Sequence, residues 1–297
     1  MTFTRHPSLS GRALALRAER IDADSWFDQW AAAPEHVVQA LQLGAARHGE
    51  LRKLRSAVPF SHFNMVLNLG CPALVDESAF AAVDEFYGGH GRVPHWIVVN
   101  DFTEPADLPQ RLQARGYAPA GEWDRVVLQG TVVQRWADLA SGCELVSRET
   151  APEWAGFIRA CYGMPPLIGE WLMAEVGRPG WIHALRREGG RSDGPVVMTR
   201  SLFHDSEGWA WLGIDAPVPG VMAPCFDDDQ RLVAALLEAA AARGAHSFVS
   251  DIEQPSPARD SEAYRRWGEL GFEAVNRRRL FMKAGSAAES PAPRDAA

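Results

Sequence analysis

Three side chains in the second half of the chain are of types that move protons or attack carbonyls: Asp215, Cys225 and Tyr264. A carboxylate at the end of a strand, as Asp215 is, either takes a proton from a substrate or opens a turn. A thiol just ahead of a helix start, as in Cys225, is eased toward the thiolate or packs as a small apolar group. Asp227, Asp228 and Asp229 beside it oppose a thiolate. A phenol inside a helix, as in Tyr264, either gives up its proton or lies buried with its hydroxyl bonded.

The stretch that must position these groups runs from Gly208 to Gly244 and reads as strand, loop, helix. Trp209, Trp211 and Ile214 are bulky strand formers, and Pro217 and Pro219, which cannot donate to a ladder, end the strand. The three aspartates suit an N-cap and first turn. Leu232, Val233, Leu236, Leu237 and Ala240 recur at helical spacing, and Gly244 stops the helix. A strand feeding a loop at a helix N-terminus is a place where proteins hold phosphates, because backbone N–H groups and the helix dipole point at the same anion.

The chain has 297 residues and is 46% hydrophobic, which predicts two domains, each with a core of its own. A net charge of −8 without a Lys/Arg block argues against a nucleic-acid partner. No apolar run reaches membrane-spanning length and the first residues lack a signal-peptide core, so no membrane association and a cytoplasmic location are expected. Cys71, Cys143, Cys161 and Cys225 are scattered, and no His-Glu-x-x-His appears, so no metal site is expected. The tryptophans of the second half, Trp154, Trp171, Trp181, Trp209, Trp211 and Trp267, read as core or as the wall of an apolar pocket.

Residues 12–20 read as a strand or a helix, Asp24 or Ser25 caps a helix through Trp30, and 35–54 reads as a further helix. A strand at 63–67, a helix opened by Asp76 and Glu77, a strand at 96–99, a helix at 106–115 and a strand at 124–128 follow. The second half runs strand (144–146), two helices (153–162, 167–176), two strands (181–185, 195–203), the central stretch, strand (247–252), helix (260–270) and strand (275–282). Leu112–Tyr117 and Trp267–Phe272 share a helix-Gly-aromatic ending before a closing strand, which reads as an internal duplication. Residues 286–297 are small, polar and proline-containing and are expected to be disordered.

This order, with Pro219 on the proline of a V-x-P-x-x-R-G-x-G pattern, resembles the GNAT (GCN5-related N-acetyltransferase) acyltransferases. Gly163-Met164-Pro165-Pro166, Gly177-Arg178-Pro179-Gly180-Trp181 and Tyr264…Gly271-Phe272 resemble bacterial tandem GNAT proteins, and Val58–Asn64 looks like their N-terminal copy. The resemblance spans about residues 12–283. It implies an α/β chain of two GNAT-like domains, each a mixed, largely antiparallel sheet flanked by helices. Residues 1–130 would be a degenerate copy, 131–285 the second copy and 286–297 a tail. It further implies N-acyl transfer from CoA or another thioester to a small amine. Asp215 would take the proton of an ammonium and Tyr264 would protonate the leaving thiolate. Gly213, Ile214, Ala216 and Val218 of the strand, with Val221, Ala223 and Cys225 of the loop, would hold the donor.

Two departures from the pattern bear on that donor. Met222-Ala223-Pro224-Cys225 stand where the family has R-G-x-G, Pro224 has no N–H to give, and three aspartates follow. Trp267 stands where the family has its tyrosine, and an indole is no acid; Tyr264 lies one turn earlier. The phosphate loop is therefore degenerate and the donor is acyl-CoA or none. The alternatives are a GNAT fold repurposed for CoA-independent small-molecule chemistry and a catalytically dead ligand- or partner-binding protein.

Overall fold

The computed structural model describes residues 9–88, 93–130, 136–217, 226–253 and 262–285. Val218, Val221, Ala223, Cys225 and the 286–297 tail lie outside them. Along the chain run α1 (Gly11–Ala32), α2 (Glu35–Ala40), β1 (Gly44–His48), β2 (Leu51–Arg55), β3 (Met65–Leu67), α3 (Glu77–Gly88), β4 (His95–Asn100), α4 (Leu108–Ala114) and β5 (Ala118–Gln129). Then come β6 (Cys143–Leu145), α5 (Ala151–Cys161), α6 (Pro166–Glu175), β7 (Trp181–Arg187), β8 (Val196–His204) and β9 (Trp209–Pro217). The chain closes with α7 (Phe226–Ala241), β10 (Ser247–Glu253), α8 (Glu262–Glu269) and β11 (Glu273–Lys283).

The elements form two units, neither continuous in sequence. One takes the chain up to Ala40 with Glu122–Arg278; the other takes Leu41–Gly121 with the chain from Arg279. In the larger unit the strand order is β11-β5-β10-β9-β8-β7-β6, with β9 and β10 parallel and the pairs from β9 to β6 antiparallel. Helices α7 and α8 cover one face. Leu232, Val233, Leu236 and Leu237 pack there with Ile182, Met198, Leu202, Leu212 and Phe248 in one buried core. The other face is tryptophan-rich: Trp26 of α1 lies 5.2 Å from Trp211 of β9, and Trp30 of α1 lies 4.8 Å from Trp171 of α6.

Charge also ties α1 to this unit. Asp22, 1% exposed, accepts from Arg125 of β5 at 2.9 Å and from Arg278 of β11 at 2.6 Å. Asp251 of β10 accepts from the same two arginines at 2.8 Å, and Glu19 lies 3.2 Å from Arg278. Buried guanidinium groups can be kept only with such partners.

In the smaller unit the order is β1-β2-β3-β4, then β11. Val66, Ile97 and Val99 form its core with Phe80, Val83, Leu108 and Leu112. Both copies place a parallel strand pair around a helix: β3 with β4 around α3, and β9 with β10 around α7. Their helix-Gly-aromatic endings close alike. Gly116 and Gly271 have φ of +84° and +97°, and Tyr117 and Phe272 donate back to Leu112 and Trp267 at 3.1 and 3.0 Å.

Two expected elements differ. Residues 12–30 form one helix, not two segments. The expected helix over 35–54 stops at Ala40, and 44–55 is a hairpin with a two-residue turn, Gly49-Glu50, where Gly49 has φ +58°. Val37 is buried from α2, Leu41 from the turn that follows it and Leu51 from β2, so their helical spacing does not mark one helix.

Candidate functional site

The β9–β10 ladder runs for three residue pairs, from Trp209–Ser247 to Trp211–Val249. At its end the Ser250 hydroxyl donates to the Leu212 carbonyl at 3.1 Å. Beyond it β9 bulges: Ile214 and Asp215 together oppose Arg200 of β8, between the pairs Ser201–Gly213 and Thr199–Ala216. Ile214 takes φ +50°, a conformation that bulky residues adopt only where packing enforces it. Gly213 is required here, since a Cβ would stand 2.1 Å from the Trp211 ring folded over it.

The Asp215 side chain is 48% exposed and its carboxylate lies 3.6 Å from Arg200. Its backbone carbonyl accepts the hydroxyl of Tyr162, just past α5. Cys161 is adjacent, and burial together with the Asp215 charge pushes its thiol up.

The N-terminus of α7 carries its own counter-ions. Asp229 accepts from buried Arg200 of β8 at 2.6 Å, Asp228 accepts from Arg186 of β7, and Asp227 lies 2.6 Å from Arg266 of α8. Arg186 also donates to the Ser141 and Gly142 carbonyls, and Arg266 to the Gln230 amide oxygen. Burial raises the Asp229 carboxyl against the pull of Arg200. Burial likewise works against the Arg200 charge, and Asp229 and Asp215 more than restore it. Arg231 donates to the Leu139 carbonyl and the Ser141 hydroxyl at 3.4 Å.

The two expected proton carriers lie on different elements, Tyr264 on α8 and Asp215 on β9. Tyr264 donates to Asp124 of β5, which also accepts from Arg277 at 3.1 Å; Asp215 is on β9, with β10 between. Ala216 is buried and paired with Thr199. Arg200 and Tyr162 were not expected. The one signal for Arg200 is its place between Met198 and Leu202, in the register that faces the core.

The matching place in the smaller unit is filled by backbone. Beyond the Val66–Ile97 pair, Glu104 donates to the Gly70 carbonyl at 2.9 Å and Val75 to the Glu104 carbonyl at 3.0 Å. A Cβ on Gly70 would meet the Glu104 oxygen at 2.6 Å.

A parallel strand pair around a helix occurs twice along the chain, and the second pair opens beside a bulged strand. This is a tandem GNAT fold. A GCN5-related N-acetyltransferase from Kribbella flavida aligns over 91% of this chain and 96% of its own, with a TM-score of 0.57 and 14% identity. One from Sphaerobacter thermophilus covers 95% of this chain and 94% of its own (TM-score 0.54, 12% identity). A tandem GNAT protein from the clavulanic acid biosynthesis pathway covers 94% and 96% (TM-score 0.51, 15% identity). No family model matches the sequence, and no curated protein matches it. Likeness at this identity is likeness of GNAT fold. Among the described residues no His, Cys, Asp and Glu group could hold a metal, and no helix is long and apolar enough to cross a membrane.

Proposed function

We propose that the protein is an acyltransferase that moves an acyl group from a thioester to a small amine at the β9 bulge. The end of the β9–β10 ladder at Trp211–Val249, followed by the Ile214–Asp215 bulge, is what supports this most. Beyond Trp211, β9 makes no further ladder pair with β10 among the described residues; there the Leu212 carbonyl accepts from the Ser250 hydroxyl and the Asp215 carbonyl from Tyr162, and a bound chain would pair with the backbone between them. Gly213, Ile214 and Ala216 would hold the acyl and pantetheine portions; Val218, Val221, Ala223 and Cys225 come to this role from the family resemblance alone.

The reaction needs no covalent enzyme intermediate. The amine nitrogen attacks the thioester carbonyl carbon, a C–N bond forms, and the C–S bond breaks with its electron pair going to sulfur. Asp215 takes the amine proton. The phenol of Tyr162, at the same bulge, gives a proton to the thiolate, so amide and thiol leave. Tyr264 is the second candidate for that step, and its hydroxyl is engaged by Asp124. The activity lies in the second copy.

The test is thiol release from acetyl-CoA, longer acyl-CoAs and acetyl-pantetheine with a panel of primary amines. Amine-dependent release, lost in Asp215→Asn, is the expected result; its absence with every donor and amine would reject the proposal. A second reading, ligand binding without transfer, draws support from Trp211, whose ring covers Gly213 and abuts Trp26. It predicts thermal shifts with amines and no thiol release.

A further inference from the structure

We infer that the acyl donor is a pantetheine-type thioester that carries no nucleotide diphosphate, an inference that rests on the acyltransferase reading above. A helix of 16 residues such as α7 presents about half a positive charge at its N-terminus, where a diphosphate would sit. Here the first turn supplies the anions itself. Asp227, Asp228 and Asp229 each hold an arginine drawn from a different element: Arg266 of α8, Arg186 of β7 and Arg200 of β8. Three carboxylates and three guanidinium groups sum to no formal charge. An arriving diphosphate meets this neutral cluster and has to compete for every one of its cations.

The innermost pair is the hardest to open. Arg200 and Asp229 have side chains only 7% and 14% exposed, and separating them leaves charge without a partner in the interior. Arg231, the arginine of α7 itself, is turned to the Leu139 carbonyl and the Ser141 hydroxyl. A pantetheine arm makes different demands. Its two amides pair with backbone as an added strand does, and β9 beyond Trp211 runs without a ladder pair to β10 among the described residues, its Leu212 carbonyl held by the Ser250 hydroxyl. Transfer from this donor breaks the acyl C–S bond, forms the amide C–N bond and releases pantetheine, its sulfur taking a proton in exchange for the one the amine gives up.

The experiment is calorimetry of the full chain with pantetheine and with CoA, beside initial rates with acetyl-pantetheine and acetyl-CoA. Dissociation constants within about threefold of one another are expected. CoA binding about tenfold or more tighter than pantetheine would overturn the inference, and so would failure of both thiols to bind. The double variant Asp227→Asn/Asp228→Asn removes the carboxylates from Arg266 and Arg186, gives the cluster a net positive charge and is expected to tighten CoA binding about tenfold or more. An affinity for CoA unmoved by it would also overturn the inference. The two proposals fail separately. Equal binding of the two thiols without amine acylation rejects the acyltransferase and leaves the ligand assignment. Amine acylation with a strong preference for acetyl-CoA does the reverse.

Discussion

Arg200 of β8 and Asp229 of α7 face one another at 2.6 Å, with side chains 7% and 14% exposed. The β9 bulge lies beside this pair, with two residues of β9 passing opposite Arg200. Asp229→Ala should leave the guanidinium with only half-exposed Asp215, 3.6 Å away, as an acidic partner. A loss of about 3 kcal/mol in urea unfolding is expected. A loss below about 1 kcal/mol would mean that solvent reaches Arg200.

Asp215, being half exposed, should be separable from stability. Asp215→Asn is expected to shift unfolding by no more than about 0.5 kcal/mol while lowering kcat/KM at least about a hundredfold. Tyr162→Phe should lower kcat more than Tyr264→Phe does. The reverse order would move the proton-donating step to Tyr264.

Glu175 of α6 is fully buried, and the Gln29 amide nearby makes no hydrogen bond of normal geometry with it. Burial raises its carboxyl well above the usual range. A raised carboxyl favours the fold below its unfolded value, near 4.3, and loses that contribution as pH rises, at about 1.4 kcal/mol per unit until the folded value is reached. Glu175→Gln should therefore be more stable than wild type at pH 7 and level with it near pH 4. Equal melting temperatures at pH 7 would show that the carboxylate is compensated.

His183 of β7 has the opposite sign. It is 2% exposed, bonded to the Ser201 hydroxyl at 2.9 Å, and burial lowers its pKa from 6.5 to about 3. Its neutral form favours the fold above pH 6.5, and that contribution is lost as pH falls toward 3, at about 1.4 kcal/mol per unit. Urea midpoints at pH 7, 5 and 4 should fall more steeply for wild type than for His183→Gln. An imidazole carbon shift showing protonation at pH 6 would refute the assignment.

Gly213→Ala puts a methyl 2.1 Å from the Trp211 ring. The expected cost is about 1–3 kcal/mol, with a shift in tryptophan emission as the ring leaves Trp26. An unchanged spectrum and stability would mean that the ring moves freely.

The second copy was legible because prolines and glycines bound its elements and its strands, buried on both faces, are short apolar-rich runs. The tryptophans of the face away from α7, and the apolar positions of α7, all fall where spacing alone puts them. The site was less legible because its decisive contacts are not local. Tyr162 meets Asp215 across 53 residues, and Tyr264 meets Asp124 across 140. A bulge cannot be read from one strand, since it exists only in the register with a neighbour. The aspartates at the start of α7 were legible as helix-starting residues, but not the three arginines that hold them, which come from three other elements.

The buried network on α1 sets an order on synthesis. Asp22 is made early, yet Arg278, which donates to it at 2.6 Å, lies 256 residues on. Glu19 waits for the same guanidinium. Until β11 leaves the ribosome, Asp22 and Glu19 on α1 lack the Arg278 guanidinium they share. A chain halted before residue 273 should thus stay protease-sensitive at α1 even with every other strand of the larger unit already translated, and folding gated by so distant a contact is slow.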